Sequence, residues 1–277
     1  VNGGGDDPAV LPIERLVVWM ARAVADDDVA VVGIGTPVAL AAFLLARALH
    51  APRLHILMPG ALDPAPRDLS TYLRDPVSAV SGARARRSRV EILDAIAAGE
   101  VSVQFVRPAQ VDAQLRLNTE RLDTPSGPLH LVGPVALPDV VARVGRVIAY
   151  LPRHDPQALV ASVDTVTAPR GLSGGRVAAV ITPLAQLRWT AGVATLAGRG
   201  QGVSLEEIRS KTGFVLGGDG ATTIPEPSDE ELGTLRSVVD PLGLIGLEDP
   251  GLRHDARQTL ARLWSPAGTA HHQEAAP

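Results

Sequence analysis

The chain contains no cysteine. Disulfide staples, thiolate nucleophiles and cysteine-held metals are therefore excluded. Aromatic residues make up only 3% of its 277 residues, so a core has to be assembled mainly from Ala, Val and Leu. Lys211 is the sole lysine, and arginine supplies the remaining basic charge. A net charge of -4 argues against a nucleic-acid partner. The cluster Arg84, Arg86, Arg87 and Arg89 lacks interleaved aromatics and reads as a solvated face or a subunit contact. The apolar stretch Val38 to Leu49 is too short to span a bilayer, which takes about 20 residues. The opening Val1 to Asp7 is glycine-rich and acidic, unlike a secretory leader. A soluble, cytoplasmic protein with no membrane partner is expected. His50, His55, His130, His154, His254, His271 and His272 have no metal-ligand spacing, so no metal is expected. No Gly-x-Ser-x-Gly elbow is present, and no Walker loop or dinucleotide fingerprint; no nucleotide cofactor is expected.

What is present is a strand–turn–helix pattern. Val29-Ala30-Val31-Val32 is an apolar, β-branched run that empties into Gly33-Ile34-Gly35-Thr36-Pro37. A second apolar run, Val38 to Leu49, follows at once. An open parallel α/β sheet builds ligand sites this way at its carboxyl edge. Taken alone, the turn fits a structural connection as well as a ligand loop. The next strand, Leu54 to Met58, ends in Pro59-Gly60-Ala61-Leu62, which offers no acid, base or nucleophile.

The rest of the chain alternates in the same manner. Pro12 opens a helix with Ile13, Leu16, Val17, Met20 and Val24 at helical spacing. Asp63 to Arg89 reads as a long irregular connection, a lid or subunit contact. Val90 to Ala98 is helical, with Gly99 as its stop. Val101 to Val106 and Arg146 to Leu151 are buried strands. Val160–Val166, Arg176–Ile181, Gln186–Trp189 and Val193–Leu196 are short β runs. Ser204 caps a short helix that Glu207 closes into a capping box, and Ser228 caps a last helix, Asp229 to Val239. The fold class is α/β, an open, mainly parallel sheet with flanking helices. Gln110-Val111-Asp112 reads either as a polar strand end with Asp112 capping a turn, or as a carboxamide aimed at an oxyanion.

The order of motifs resembles the β subunit of family I CoA-transferases. It runs Gly33-Ile34-Gly35-Thr36-Pro37, Ala98-Gly99-Glu100-Val101-Ser102-Val103, Ala109-Gln110-Val111-Asp112 and Val180-Ile181-Thr182-Pro183-Leu184-Ala185. The segment Gly202-Val203-Ser204-Leu205-Glu206-Glu207-Ile208-Arg209-Ser210-Lys211-Thr212-Gly213 is similar to that family's closing G-V-T-x-E-E-V-x-x-x-T-G, the most specific match. Leu235 to Pro241 is similar to the glutaconate CoA-transferase-type branch that includes steroid-ring-cleaving CoA-ester hydrolases.

The resemblance implies an open α/β sheet, an α subunit of similar fold as partner, and coenzyme A as part of a thioester substrate. It implies an oxyanion loop at Gly33, Ile34, Gly35, Thr36 and Pro37, and a contact from Gln110 to the thioester carbonyl. Gly60, Asn118 and Gly133 would edge the site. The family's catalysis is covalent, through a glutamate in a Glu-x-Gly-type motif after the second strand. Here that position falls in Met58–Leu62 and holds no carboxylate; Asp63 is the nearest. The glycine-asparagine after Gln-Val-Asp is Leu115-Arg116, with Asn118 as its remnant. The glycine pair after Gly133-Pro134 is Val135-Ala136. The reading that follows is a divergent β-type subunit, hydrolase-like or transferase, acting on an acyl-CoA thioester. The alternative is a catalytically inactive scaffold or regulatory subunit. Residues 1–11 are expected as a flexible tail, 12–245 as the α/β domain and 246–277 as a flexible extension.

Overall fold

A computed structural model describes residues 9–64, 68–74, 80, 82–168, 177–218 and 220–264. The centre is a ten-stranded sheet. Five parallel strands form its middle: β2 (His55–Met58), β1 (Val29–Val31), β5 (Val103–Val106), β10 (Arg146–Tyr150) and β12 (Val177–Ile181), side by side in that order. Both faces of these strands are covered, which is why they read as continuous apolar runs rather than alternating ones. Beyond β12 the sheet continues through the antiparallel strands β13 (Ala185–Thr190) and β14 (Val193–Gly200) to β15 (Thr222–Ile224). At the other edge β3 (Gly60–Leu62) and β4 (Ala85–Arg87) pair antiparallel.

One face carries α1 (Pro12–Ala21) and α2 (Pro37–Leu49). Every residue of α2 from Pro37 to Ala46 is buried, as an apolar helix without a polar stripe requires. Phe43 of α2 stacks on Phe105 of β5 with centroids 4.8 Å apart. The opposite face carries α4 (Arg89–Ala97) and α5 (Leu137–Arg143), numbered after the short α3 (Leu69–Arg74). A small second sheet joins β6 (Gln110–Asp112), β7 (Leu117–Asn118) and β11 (Leu159–Val160), and β8 (Arg121–Thr124) with β9 (Gly127–His130) forms a hairpin. Two short helices follow, α6 (Leu205–Ser210) and α7 (Asp229–Thr234), and α8 (Arg253–Leu263) comes last. No helix among the described residues is long and apolar enough to cross a membrane.

Several expectations change. The described part of Asp63–Arg89 holds α3 and the edge strand β4, not only irregular chain. Of Val160–Val166 only the first residue is strand, because β11 belongs to the small sheet. The Ser204 side chain does accept from the Glu207 N–H at 3.0 Å. Glu207 turns instead to Lys211, at 2.7 Å, so the capping box is half formed. Asp229–Val239 begins as α7 with a full capping box and ends in a π turn over Leu235–Val239. Within residues 246–264, expected as an extension, a 3-10 turn over Leu244–Glu248 leads into α8, and both pack on the core. Their anchor is the buried Glu248. Residues 1–8 and 265–277 lie outside the described residues.

The closing motif has a clear packing role. Thr212 Oγ1 lies 3.0 Å from His154 Nε2, and the Gly213 N–H donates to the Leu159 carbonyl at 2.7 Å. Any Cβ at Gly213 would collide with that carbonyl oxygen, so only glycine fits.

Candidate functional site

The turn after β1 lies at the carboxyl edge of the parallel strands. Gly35 adopts φ +70, the left-handed region that glycine enters freely. Thr36 Oγ1 donates to the Gly33 carbonyl at 2.8 Å and closes the turn. The N–H groups of Ile34 and Gly35 have no hydrogen-bond partner among the described residues, while the turn directs the Thr36 N–H towards the Gly33 carbonyl. They stand just ahead of the N-terminus of α2, where backbone donors and the helix dipole favour negative charge.

The turn opens into a groove of about 260 Å³. Its walls are the turn itself, Pro59 after β2, Gln104–Arg107 at the end of β5, the inner side of α4, and residues 132–137. A neighbouring hollow of about 210 Å³ shares Ile34, Thr36, Arg107, Thr119 and Val132 and adds Gly35. Three adjacent parallel strands thus deliver their carboxyl ends to one place, the usual ligand position in open α/β sheets. The polar side chains in the two linings are Thr36, Gln104, Thr119, Arg89 and Arg107. Neither lining contains Asp, Glu, His or Ser. The site can stabilise a developing negative charge, but among the described residues it supplies no base and no nucleophile.

Gly33, Ile34, Thr36 and Gly133 line the groove and Gly35 lines the hollow, while Pro37 is buried as the first residue of α2. Gly133 is tied to Thr119 twice, by its N–H to the Thr119 carbonyl at 3.0 Å and by Thr119 Oγ1 to its own carbonyl at 2.9 Å. Val135 adopts φ +49. The backbone keeps a glycine-like conformation there although the residue is β-branched, and such strain gathers at functional sites. Gly60, at the β2–β3 turn with φ +103, sits behind Pro59 and lines neither space.

Gln110 is not presented to the groove, which corrects the contact expected of it. Its Oε1 accepts from Asn118 Nδ2 at 2.8 Å and from the Asp164 N–H at 3.0 Å. Its Nε2 donates to Asp164 Oδ2 at 3.0 Å. Asn118 is equally committed: its Nδ2 also donates to the Arg121 carbonyl, and its Oδ1 accepts from the Glu120 and Arg121 N–H groups. Both residues hold loops of the small sheet together. Asp63 is also removed from the site. β3 runs antiparallel to β2 and carries the chain back, so Asp63 lies opposite Ile56, bonded to its N–H at 2.9 Å and to His55 Nδ1 at 2.7 Å.

Glu248, Arg107, Tyr150 and Gln104 were missed. Glu248, only 2% exposed, accepts from the Val38 N–H at 2.9 Å and from Arg107 Nε at 3.1 Å. The Tyr150 hydroxyl donates to it, lying 3.0 and 3.1 Å from its two oxygens. Burial raises the Glu248 carboxyl above its ordinary range against the pull of Arg107, the Val38 amide and Tyr150. Burial and the Glu248 charge push the Tyr150 hydroxyl well up. Glu248 therefore fills the N-terminus of α2 and fixes Arg107, which lines both spaces. Nothing local in the sequence marks Glu248, since its partners are distant. Gln104 did carry a signal: it is the one polar residue within Val103–Val106. Away from the groove, His154 is buried between Thr182 and Thr212. Burial lowers its pKa to about 4.

No protein-family profile matches the chain, and no curated protein does. Solved structures do. The decarboxylase AibA/AibB superposes with a TM-score of 0.76 at 26% identity, over 86% of this chain and 98% of that one. The glutaconate coenzyme A-transferase of Acidaminococcus fermentans gives 0.73 at 20% identity, over 84% and 95%. IpdAB of Rhodococcus jostii RHA1 gives 0.69 at 19% identity, over 86% and 98%. The likeness establishes the fold.

Proposed function

From a chain with the family I CoA-transferase-type fold, we propose a β-type subunit that acts with an α-type partner on an acyl-CoA thioester, by a route that does not use the family's glutamate. One observation carries the reading. Free turn amides open into a groove that offers the guanidinium groups of Arg89 and Arg107 but, among the described residues, no carboxylate. The thioester carbonyl oxygen would accept from the Ile34 and Gly35 amides, which strengthen their hold as charge develops. The partner would contribute the carboxylate. In a hydrolysis, that carboxylate takes a proton from water, the hydroxide adds to the carbonyl carbon, the C–S bond breaks, and the departing CoA thiolate takes the proton. Two of the fold's solved examples bear two-component names, AibA/AibB and IpdAB, in keeping with a partner here.

The position of the family nucleophile supports the absence of covalent transfer through this chain. Met58, two residues before Gly60, is fully buried on the α2 face. Asp63 is turned to the other end of β2. Ordinary transfer would need a nucleophile from elsewhere and is the weaker reading. The second reading is a non-catalytic scaffold, and the carboxylate-free lining together with Val135 at the groove favours it.

The test is to purify the full chain with a co-expressed α-type subunit, supply acyl-CoA, and trap with hydroxylamine or borohydride. Turnover with no modification between residues 58 and 63, by mass spectrometry, is expected. A modified Asp63 would restore a transferase. A complex that binds no CoA ester leaves the scaffold reading.

A further inference from the structure

Gln104 stands in a layer of aliphatic side chains. Its neighbours across the sheet are Val31 on β1 and Val147 on β10, and Ile92, Ile96 and Val140 wall the groove beside it. It is 8% exposed. Its Oε1 is buried, and its carboxamide has no hydrogen-bond partner among the described residues. Its Nε2 lies against the glycine turn, 3.9 Å from where a Cβ on Gly33 would sit. Of the other polar groups of the linings, Thr36 is held by the Gly33 carbonyl, Thr119 by the Gly133 carbonyl and Arg107 by Glu248, while Arg89 is exposed.

An aliphatic side chain of the same length would pack in this layer with no orphaned oxygen. A buried carboxamide left without partners is destabilising, so Gln104 is explained by a hydrogen-bonding group that arrives with the ligand. Resting on the function proposed above, we propose that Gln104 recognises the acyl group. It hydrogen-bonds a hydroxyl on the acyl chain, within four carbons of the thioester whose carbonyl sits on the turn amides. The surrounding walls are apolar, so the remainder of that acyl group is aliphatic. The pantetheine arm of CoA also carries N–H donors, and free CoA separates the two sources.

The experiment measures binding of CoA, butanoyl-CoA and 2-, 3- and 4-hydroxybutanoyl-CoA to the full chain with its partner. Wild type is compared with Gln104→Met, whose side chain has the same length and no acceptor amide. In wild type one hydroxylated ester should bind about tenfold more tightly than butanoyl-CoA, the scale of one well-made hydrogen bond. Gln104→Met should lose that preference, keep its affinity for CoA and butanoyl-CoA, and melt at or above the wild-type temperature. Gln104→Leu gives the same reading if methionine repacks. A preference that survives in the variant, or is missing from wild type, overturns the proposal while acyl-CoA binding stands. Loss of affinity for CoA itself assigns the donor to pantetheine and also overturns it. If wild type binds no CoA ester, the proposed function falls and takes this inference with it.

Discussion

Replacing Glu248 with alanine tests the link between the C-terminal segment and the candidate site. In the folded protein its carboxylate satisfies the Val38 N–H and the Tyr150 hydroxyl, both fully buried, and Arg107. Alanine leaves two buried donors unpaired, each costing about 1–3 kcal/mol. Arg107, with 36% of its side chain exposed, regains water and adds little. The variant also no longer desolvates a carboxylate, which offsets part of the loss. The net expectation is a destabilisation of about 3 kcal/mol for Glu248→Ala, and about 1 kcal/mol for Glu248→Gln, which keeps an acceptor and the shape. Urea unfolding followed by the fluorescence of buried Trp19 measures both. The pH dependence has a definite sign. Because burial raises the Glu248 pKa in the folded state, its contribution is fully present below the unfolded value and shrinks as pH rises through the folded one. Glu248→Gln should remove that slope. An alanine variant within about 0.5 kcal/mol of wild type, or a glutamine variant as damaged as alanine, would refute the reasoning.

Four further outcomes are expected. His154 is neutral in the fold, with its pKa lowered from 6.5 to about 4. Stability should be full above pH 6.5 and fall as pH drops through about 4, by on the order of 3 kcal/mol at ~1.4 kcal/mol per pH unit; in His154→Gln, acid titration should show a flatter curve. A Cβ at Gly35 would meet nothing within 4 Å, so the penalty of Gly35→Val is chiefly conformational, about 1–2 kcal/mol at φ +70; thermal melting should show a folded protein while turnover by the complex falls about 100-fold. Gln110→Ala should cost about 2 kcal/mol in stability, more than Asp63→Asn, and leave acyl-CoA affinity unchanged, which calorimetric binding would check. Val135→Gly relieves a strained left-handed valine and should melt at or above wild type, with an altered acyl-CoA preference as the sign that this residue shapes the groove.

By itself the sequence determined the parallel strands, the glycine turn and the helix after it. It also marked the missing carboxylate after β2. These are short-range properties: apolar runs, a glycine that must turn left-handed, a proline at a helix start. Tertiary structure alone decided which polar atoms remain free. Gln110 was open in sequence to two readings, a polar strand end or a carboxamide aimed at an oxyanion, and Asp164, 54 residues away, takes its carboxamide. Gln104 stood out as the one polar residue of an apolar strand, yet only the packed structure shows that no partner among the described residues reaches its oxygen. Glu248 lay in a stretch expected to be loose, and it becomes the anchor only because Val38, 210 residues earlier, and Tyr150, 98 earlier, meet it in the core. A polar group's role depends on whether a partner arrives, and those partners come from distant segments brought together only by the packing of the sheet and its helices.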